Sequence, residues 1–343
     1  MGAVQAADQP RGVAGRARAA VKAVDPLVAL VVLALLLGLV VPVHGSAAVG
    51  LDRVTTVAIA ILFFGYGARL ATSQVRAGLR NWRLQGSILV ATFVVFPLLG
   101  LAVQLLPDEV LAPSLRTGVL YLTLLPSTVQ SSVVFTSIAG GNVAGAVTGA
   151  TVSNVAGIVV TPALVAAFMG GHGGLGAGGV LGTLSELLVP FVIGQCVQPW
   201  TGAWLRAHGS LTRATDRTTI VLVAYTAVSE ATRTGAWAGV TVGTIAGLLA
   251  VSAVLLVVLL VLTWRAGAWW GLDRGDRIAL LMCGSKKSLA TGLPMAAVLL
   301  PATVAATVTL PVVVFHQLQL VVCAAIARRL ALRPAGQAQR MPG

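Results

Sequence analysis

Two adjacent lysines, Lys286 and Lys287, stand inside a stretch from Leu281 to Pro294 whose other residues are apolar, small or hydroxyl-bearing. Counted from Asp276 at about 1.5 Å per residue, Lys286 is roughly 15 Å along, near the middle of a bilayer if the stretch crosses one. A lysine at that depth costs at least about 2.5–3.5 kcal/mol, so it is a functional residue by default. Its ammonium can hold an organic anion, stand in for a bound cation or exchange a proton. The competing structural reading is a buried ion pair. Carboxylates clearly inside apolar stretches are few: Glu230, which either faces a cavity or reaches an interface, and Glu186, closer to an end.

A second stretch resembles the first. Leu124 to Ser137 carries Pro126, Ser127, Thr128, Gln130, Ser131, Ser132 and Thr136. Both contain a proline, a hydroxyl cluster and a long polar group before serine, Gln130-Ser131-Ser132 in one and Lys286-Lys287-Ser288 in the other. Irregular polar backbone at membrane depth survives only inside protein or beside a cavity. Interrupted segments at matching places in inverted halves point to a transporter binding site, against the plainer reading of hydroxyl-rich packing helices. The expected substrate or ion site is Gln130, Ser131, Ser132, Thr136, Asn142, Lys286, Lys287, Ser288, Thr291 and His316, with Thr128, Thr148 and Glu230 as a second tier. Neighbours on a helix point about 100° apart. Lys287 shares its face with Cys283 and Thr291 and is expected to aim at the site. Lys286 shares its face with Met282 and Ala290 and is expected to pack, its amine on a carbonyl or a carboxylate.

Elements able to hold such a site follow from composition. The 343 residues are 57% hydrophobic and 10% charged, with a mean hydropathy of +0.92. A soluble domain is nearer one quarter charged, and a disordered chain is less hydrophobic. The expected fold is an all-α polytopic membrane protein of ten transmembrane helices, at about 26–43, 54–70, 86–106, 116–139, 142–168, 180–200, 213–232, 238–264, 276–299 and 303–326. Five spans per half invert the second half relative to the first. The polar stretches are then the fourth and ninth spans. The expected organisation is a basic tail 1–24, a five-helix repeat 25–168, a glycine-rich outer loop 169–179, a second repeat 180–328 and a tail 329–343.

The net charge of +13 is spread over loops, which reads as a topology signal rather than a nucleic-acid surface. With the N-terminus inside, eighteen basic residues fall in inner segments and three (Arg53, Arg116, Arg233) in outer ones. Both termini are thus expected in the cytoplasm of a bacterial plasma membrane protein. Six tryptophans fall at inner span ends and Trp237 at an outer one, an interfacial belt. Three distant cysteines, Cys196, Cys283 and Cys323, imply neither disulfides nor a metal site. Gly171 to Gly176 matches a dinucleotide fingerprint by letters only, because no strand precedes it. No catalytic constellation is visible, so no enzyme is expected. Gly141, Gly145, Gly149, Ser153 and Gly157 recur every fourth residue, the pattern of a close helix contact.

At these residues the sequence resembles the bile acid:sodium symporter superfamily, and more closely its SBF-like branch, which includes the seventh member of human solute carrier family 10. The matching stretches are Phe63–Gly67, Leu79–Leu84, Leu125–Ser132, Gly141–Val143, Thr161-Pro162, Pro190-Phe191, Cys283–Leu289 and His316–Leu320. The likeness covers about 25 to 335. It implies a panel of spans 1, 2, 6 and 7 and a core of spans 3–5 and 8–10, in which spans 4 and 9 break and cross. It implies alternating-access transport of a small organic anion, or alternatively a non-transporting regulator of cation or calcium homeostasis. Sodium-coupled relatives hold their ion with oxygens that include a glutamate and a glutamine on the ninth helix; here Lys286 and Lys287 stand in that region. The span-4 hydroxyls are partly kept, as Ser131, Ser132 and Thr136. The span-5 positions are Ala146 and Ala150, or shifted to Thr148 and Thr151. An ammonium repels sodium by several kcal/mol, by a rough estimate at intermediate dielectric. Coupling is therefore expected without sodium in the usual form: the ammonium either replaces the ion permanently or exchanges a proton during turnover. No cofactor is expected.

Overall fold

A computed structural model describes residues 26–70, 80–173, 177–235 and 241–332. The expected tail 1–24, residues 333–343 of the expected tail 329–343, and Trp237 lie outside the described residues. Among the described residues every regular element is helical. The helices are α1 (Pro26–Val40), α2 (Gly45–Arg69), α3 (Trp82–Val103, with a π-helical turn at Ala91–Val95), α4 (Pro113–Leu124), α5 (Gln130–Ile138), α6 (Val143–Gly173), α7 (Ala177–Ala207), α8 (Gly209–Arg233), α9 (Val242–Trp269), α10 (Arg274–Gly284), α11 (Leu289–Leu299) and α12 (Ala302–Ala331).

Five of them, α2, α3, α6, α9 and α12, are long and apolar enough to cross a bilayer. The outward side chains are apolar as well: Leu33, Val57, Leu98, Val254 and Val321 are all exposed. Water would penalise such a surface, whereas lipid does not. The chain is a polytopic helical membrane protein.

The expected glycine loop 169–179 is mostly helix. α6 continues to Gly173, so His172 falls in its last turn, and α7 starts at Ala177. Glycine weakens a helix by only about 1 kcal/mol per residue, and near lipid a backbone gains by closing its own hydrogen bonds. For the same reason α7 runs past 200 to Ala207, and α12 past 328 to Ala331.

The helices pack in two groups. α2 lies along α7, and α1 against α8, which also touches α2. A Cβ at Gly67 or Gly194 would collide with the facing helix's backbone, at Phe191 and Phe64 respectively. In the second group, α4 packs on α3 and α12, α9 on α10 and α12, and α6 on α3, α5 and α10. The α6 stripe explains part of this. A Cβ at Gly145 would meet Leu84, at Gly149 Ile88, and at Gly157 Pro126. These absent side chains let α3 and the α4–α5 link rest on the α6 backbone. The groups meet where α8 touches α11 and α12 and where α7 touches α6 and α11.

Two segments are interrupted. α4 and α5 have 12 and 9 residues; α10 and α11 have 11 each. At 1.5 Å per residue each is about 14–18 Å long, half of a hydrocarbon core of about 30 Å.

Candidate functional site

The α4–α5 break follows from Pro126, which lacks an N–H and pushes its predecessor out of the helical region. Leu125 is accordingly extended, with φ −74° and ψ 157°. The α10–α11 break has no proline in its link. It follows Gly284, the last residue of α10, and Ser288 caps α11 by accepting from the Thr291 amide.

Ending a helix leaves its last carbonyls without partners, and here the two breaks satisfy each other. The α10 carbonyls of Met282 and Cys283 accept from the hydroxyls of Ser132, at 2.8 Å, and Ser127. The α4 end is closed from the other side. The Lys287 ammonium donates to the carbonyls of Thr123 (2.8 Å) and Leu125 (2.5 Å), and also to Thr92 (2.8 Å) within the π-helical turn of α3. Its three N–H donors thus have three acceptors, and the charge lies over the Phe96 ring at 4.1 Å. The Ser288 amide donates to the Pro126 carbonyl at 2.9 Å, tying link to link.

Each link is also braced by the helix that follows it in sequence. On α6, Thr161 donates to the Leu124 carbonyl, Ser153 accepts from the Ser127 amide, and Asn154 donates to the Ser127 carbonyl. On α12, the Gln319 amide brackets the Lys287 backbone. Its oxygen accepts from the Lys287 N–H and its nitrogen donates to the Lys287 carbonyl, both at 2.8 Å. The Gln319 nitrogen also lies 2.9 Å from His316 Nδ1.

Lys286 differs. It is fully buried, and its ammonium has no hydrogen-bond partner. It lies 4.4 Å from the centre of the Phe135 ring. No carboxylate among the described residues forms an ion pair with either lysine. The carbonyl contact expected of Lys286 is therefore made by Lys287, and the residue with an unspent charge is Lys286. The helical 100° rule fails here because both lysines belong to the unwound link, where side-chain direction is set by the break.

The remaining expected residues divide. Ser132, Ser288, Thr291 and His316 gather at the crossing, and Thr128 bonds Ser131 at 2.6 Å beside it. Thr136 and Thr291 are buried with hydroxyls that make no hydrogen bond. Gln130 is exposed at the start of α5, and Thr148 is half-buried on α6. Asn142 is elsewhere: it precedes α6 and donates to Asp276 Oδ1 at 2.6 Å, while Asn81 holds Oδ2 at 2.7 Å. Its short polar side chain serves a helix end, not the crossing. Glu230 pairs with Arg233 one turn on, near the end of α8, so it is no partner for the lysines. Ser127, Asn154 and Gln319 were not among the expected residues. Gln319 was visible in the His316–Leu320 stretch, but nothing in a sequence tells which polar side chain will bracket a broken backbone.

Ala146 and Ala150 pack with Leu84, Ile88 and Cys283 in an apolar cluster. The Lys287 ammonium thus occupies a trio of backbone carbonyls between two interrupted helices. Residues 25–332 match the SBF-like CPA transporter family. The chain belongs to this family. It is similar to YfeH of Escherichia coli (strain K12), named as a candidate symporter, with 41% identity over 89% of this chain and 92% of the relative. It is 43% identical to the uncharacterized protein PA2026 of Pseudomonas aeruginosa over 90% and 92% of the two chains. Sodium/bile acid cotransporter 7 of Rattus norvegicus is 27% identical over 78% and 80%. The chain is thus an integral membrane protein of a transporter family.

Proposed function

We propose that this chain is a secondary transporter of an organic anion that works by alternating access and carries its own cation in place of sodium. The observation that carries the reading is the Lys287 ammonium held by three backbone carbonyls at the crossing. Backbone oxygens in that arrangement suit a monovalent cation, and a tethered ammonium supplies the charge without leaving or arriving. The name of the Rattus norvegicus relative pairs sodium with a bile acid; we take over the amphipathic organic anion and not the sodium.

In this reading the chain has ten spans in two inverted five-helix repeats. α4–α5 and α10–α11 are the fourth and ninth spans, and both termini are cytoplasmic. The panel is α1, α2, α7 and α8, and the core is the rest. The reciprocal caps make the crossing rigid, so the core moves as a unit past the panel at the contacts that α8 makes with α11 and α12 and α7 with α6 and α11. Lys286, its ammonium without a hydrogen-bond partner and over the Phe135 ring, meets the anion and exchanges a proton. Ser131, Gln130 and Thr128 at the start of α5 provide hydroxyl and amide contacts from the other side.

Counterflow of labelled taurocholate into proteoliposomes preloaded with unlabelled taurocholate tests the reading. Accumulation that Lys286→Met abolishes supports it. Absence of counterflow by a folded wild-type protein favours the non-transporting regulator.

A further inference from the structure

A groove of about 410 Å³ runs between α1 and α8 on the outer side of the molecule. Its walls are Leu30, Leu33 and Leu37 on one helix and Val221 and Tyr225 on the other, with Arg217 at one end. Leu33 and Leu37 are 52% and 46% exposed, so the furrow opens toward lipid. Arg217 to Tyr225 is eight residues, about 12 Å of helix, close to the roughly 15 Å depth of one leaflet's hydrocarbon.

Arg217 marks the polar end. Before it α8 carries Ser210, Thr212, Arg213 and Asp216; after Thr218 and Thr219 it turns apolar with Ile220 to Val223. The neighbouring Asp216 is taken by Arg69 at 3.0 Å. Among the described residues no carboxylate pairs with Arg217. The far end is closed by Tyr225, whose hydroxyl donates to the Val41 carbonyl at 2.9 Å.

We infer that this groove binds one anionic phospholipid, its phosphate on Arg217 and an acyl chain along Leu30, Leu33 and Leu37. The chemistry selects this occupant. An apolar slot with one free guanidinium at headgroup level matches an amphiphile with one anionic end. A peptide strand would bring backbone polar groups that the slot cannot satisfy. The proposed site lies on the panel, so occupancy would hold α1 against α8 while the core moves.

Native mass spectrometry of the full-length protein in detergent tests the inference, with equimolar dioleoylphosphatidylglycerol and dioleoylphosphatidylcholine added. Wild type should retain one phosphatidylglycerol preferentially. Arg217→Gln should reduce that preference about fivefold, the effect of one basic residue near the surface, and Arg217→Lys should keep it. Leu37→Trp should block retention of either lipid by filling the slot. Equal retention of the two lipids, or an unchanged preference in Arg217→Gln, would overturn the assignment. So would displacement of the lipid by taurocholate, which would give the groove to the transported anion.

Discussion

The two lysines should respond to the same substitution with opposite signs. Lys287→Met removes three charge-assisted hydrogen bonds and leaves the carbonyls of Thr92, Thr123 and Leu125 without that donor. An unsatisfied buried group costs about 1–3 kcal/mol, so the loss is about 6 kcal/mol at mid-range. Removing a charge from mid-membrane depth returns about 3 kcal/mol. The net destabilisation is about 3 kcal/mol. Lys286→Met gives up no hydrogen bond, only a contact with Phe135 worth about 2 kcal/mol when desolvated. Against the same relief of about 3 kcal/mol, it should be neutral or stabilising by about 1 kcal/mol. At about 1.5–2.5 °C per kcal/mol for a chain of this length, a difference of about 4 kcal/mol should separate the melting temperatures by about 6–10 °C. Thermal unfolding in detergent, followed by fluorescence-detected size exclusion, reads this directly. A stable Lys287→Met beside a collapsed Lys286→Met would refute the assignment of roles, as would equal melting temperatures.

Gln319→Leu should lower stability by about 2–4 kcal/mol, because the Lys287 N–H and carbonyl both lose a buried partner; the same melting assay measures it. Gly149→Val should cost about 1–3 kcal/mol or more by overpacking against Ile88 and Gln85 on α3, again seen as a lower melting temperature. Ser131→Ala with Thr136→Ala should leave melting within about 0.5 kcal/mol of wild type while reducing taurocholate counterflow; normal counterflow in the double variant would leave those hydroxyls to packing. A cysteine at position 175 should react with an impermeant maleimide from outside intact cells, while a cysteine at position 5 should not; the reverse pattern would invert the topology.

The helical membrane architecture was legible because apolar length and charge placement are averaged over many residues. The two breaks were legible because Pro126, the hydroxyl clusters and the paired lysines violate what a lipid-facing helix tolerates. The α6 stripe was legible because small residues four apart have one use in such a helix. What failed is local. Helical periodicity directs Lys287 to the crossing, where its ammonium lies, but it gives the carbonyl contact to Lys286, and that periodicity does not hold in an unwound link. Asn142 is grouped with the crossing by residue type, although a helix end claims it, and of the two places open to Glu230 its pairing with Arg233 near the end of α8 favours the interface. The acceptors of Lys287 are all backbone carbonyls, which every sequence contains, so no side-chain pattern could reveal them. The glycines at 169–179 read as a loop because their cost in a helix is weighed for water, and this chain folds beside lipid.

Sodium dependence of taurocholate counterflow tests the central claim most directly. With wild-type protein, replacing all sodium by choline should leave the rate unchanged, while a step in pH should alter it. Lys287→Gln, where the protein is recovered folded, removes the built-in cation, keeps an oxygen ligand and should acquire a sodium response. A steep, saturable dependence of the wild-type rate on sodium would contradict the account.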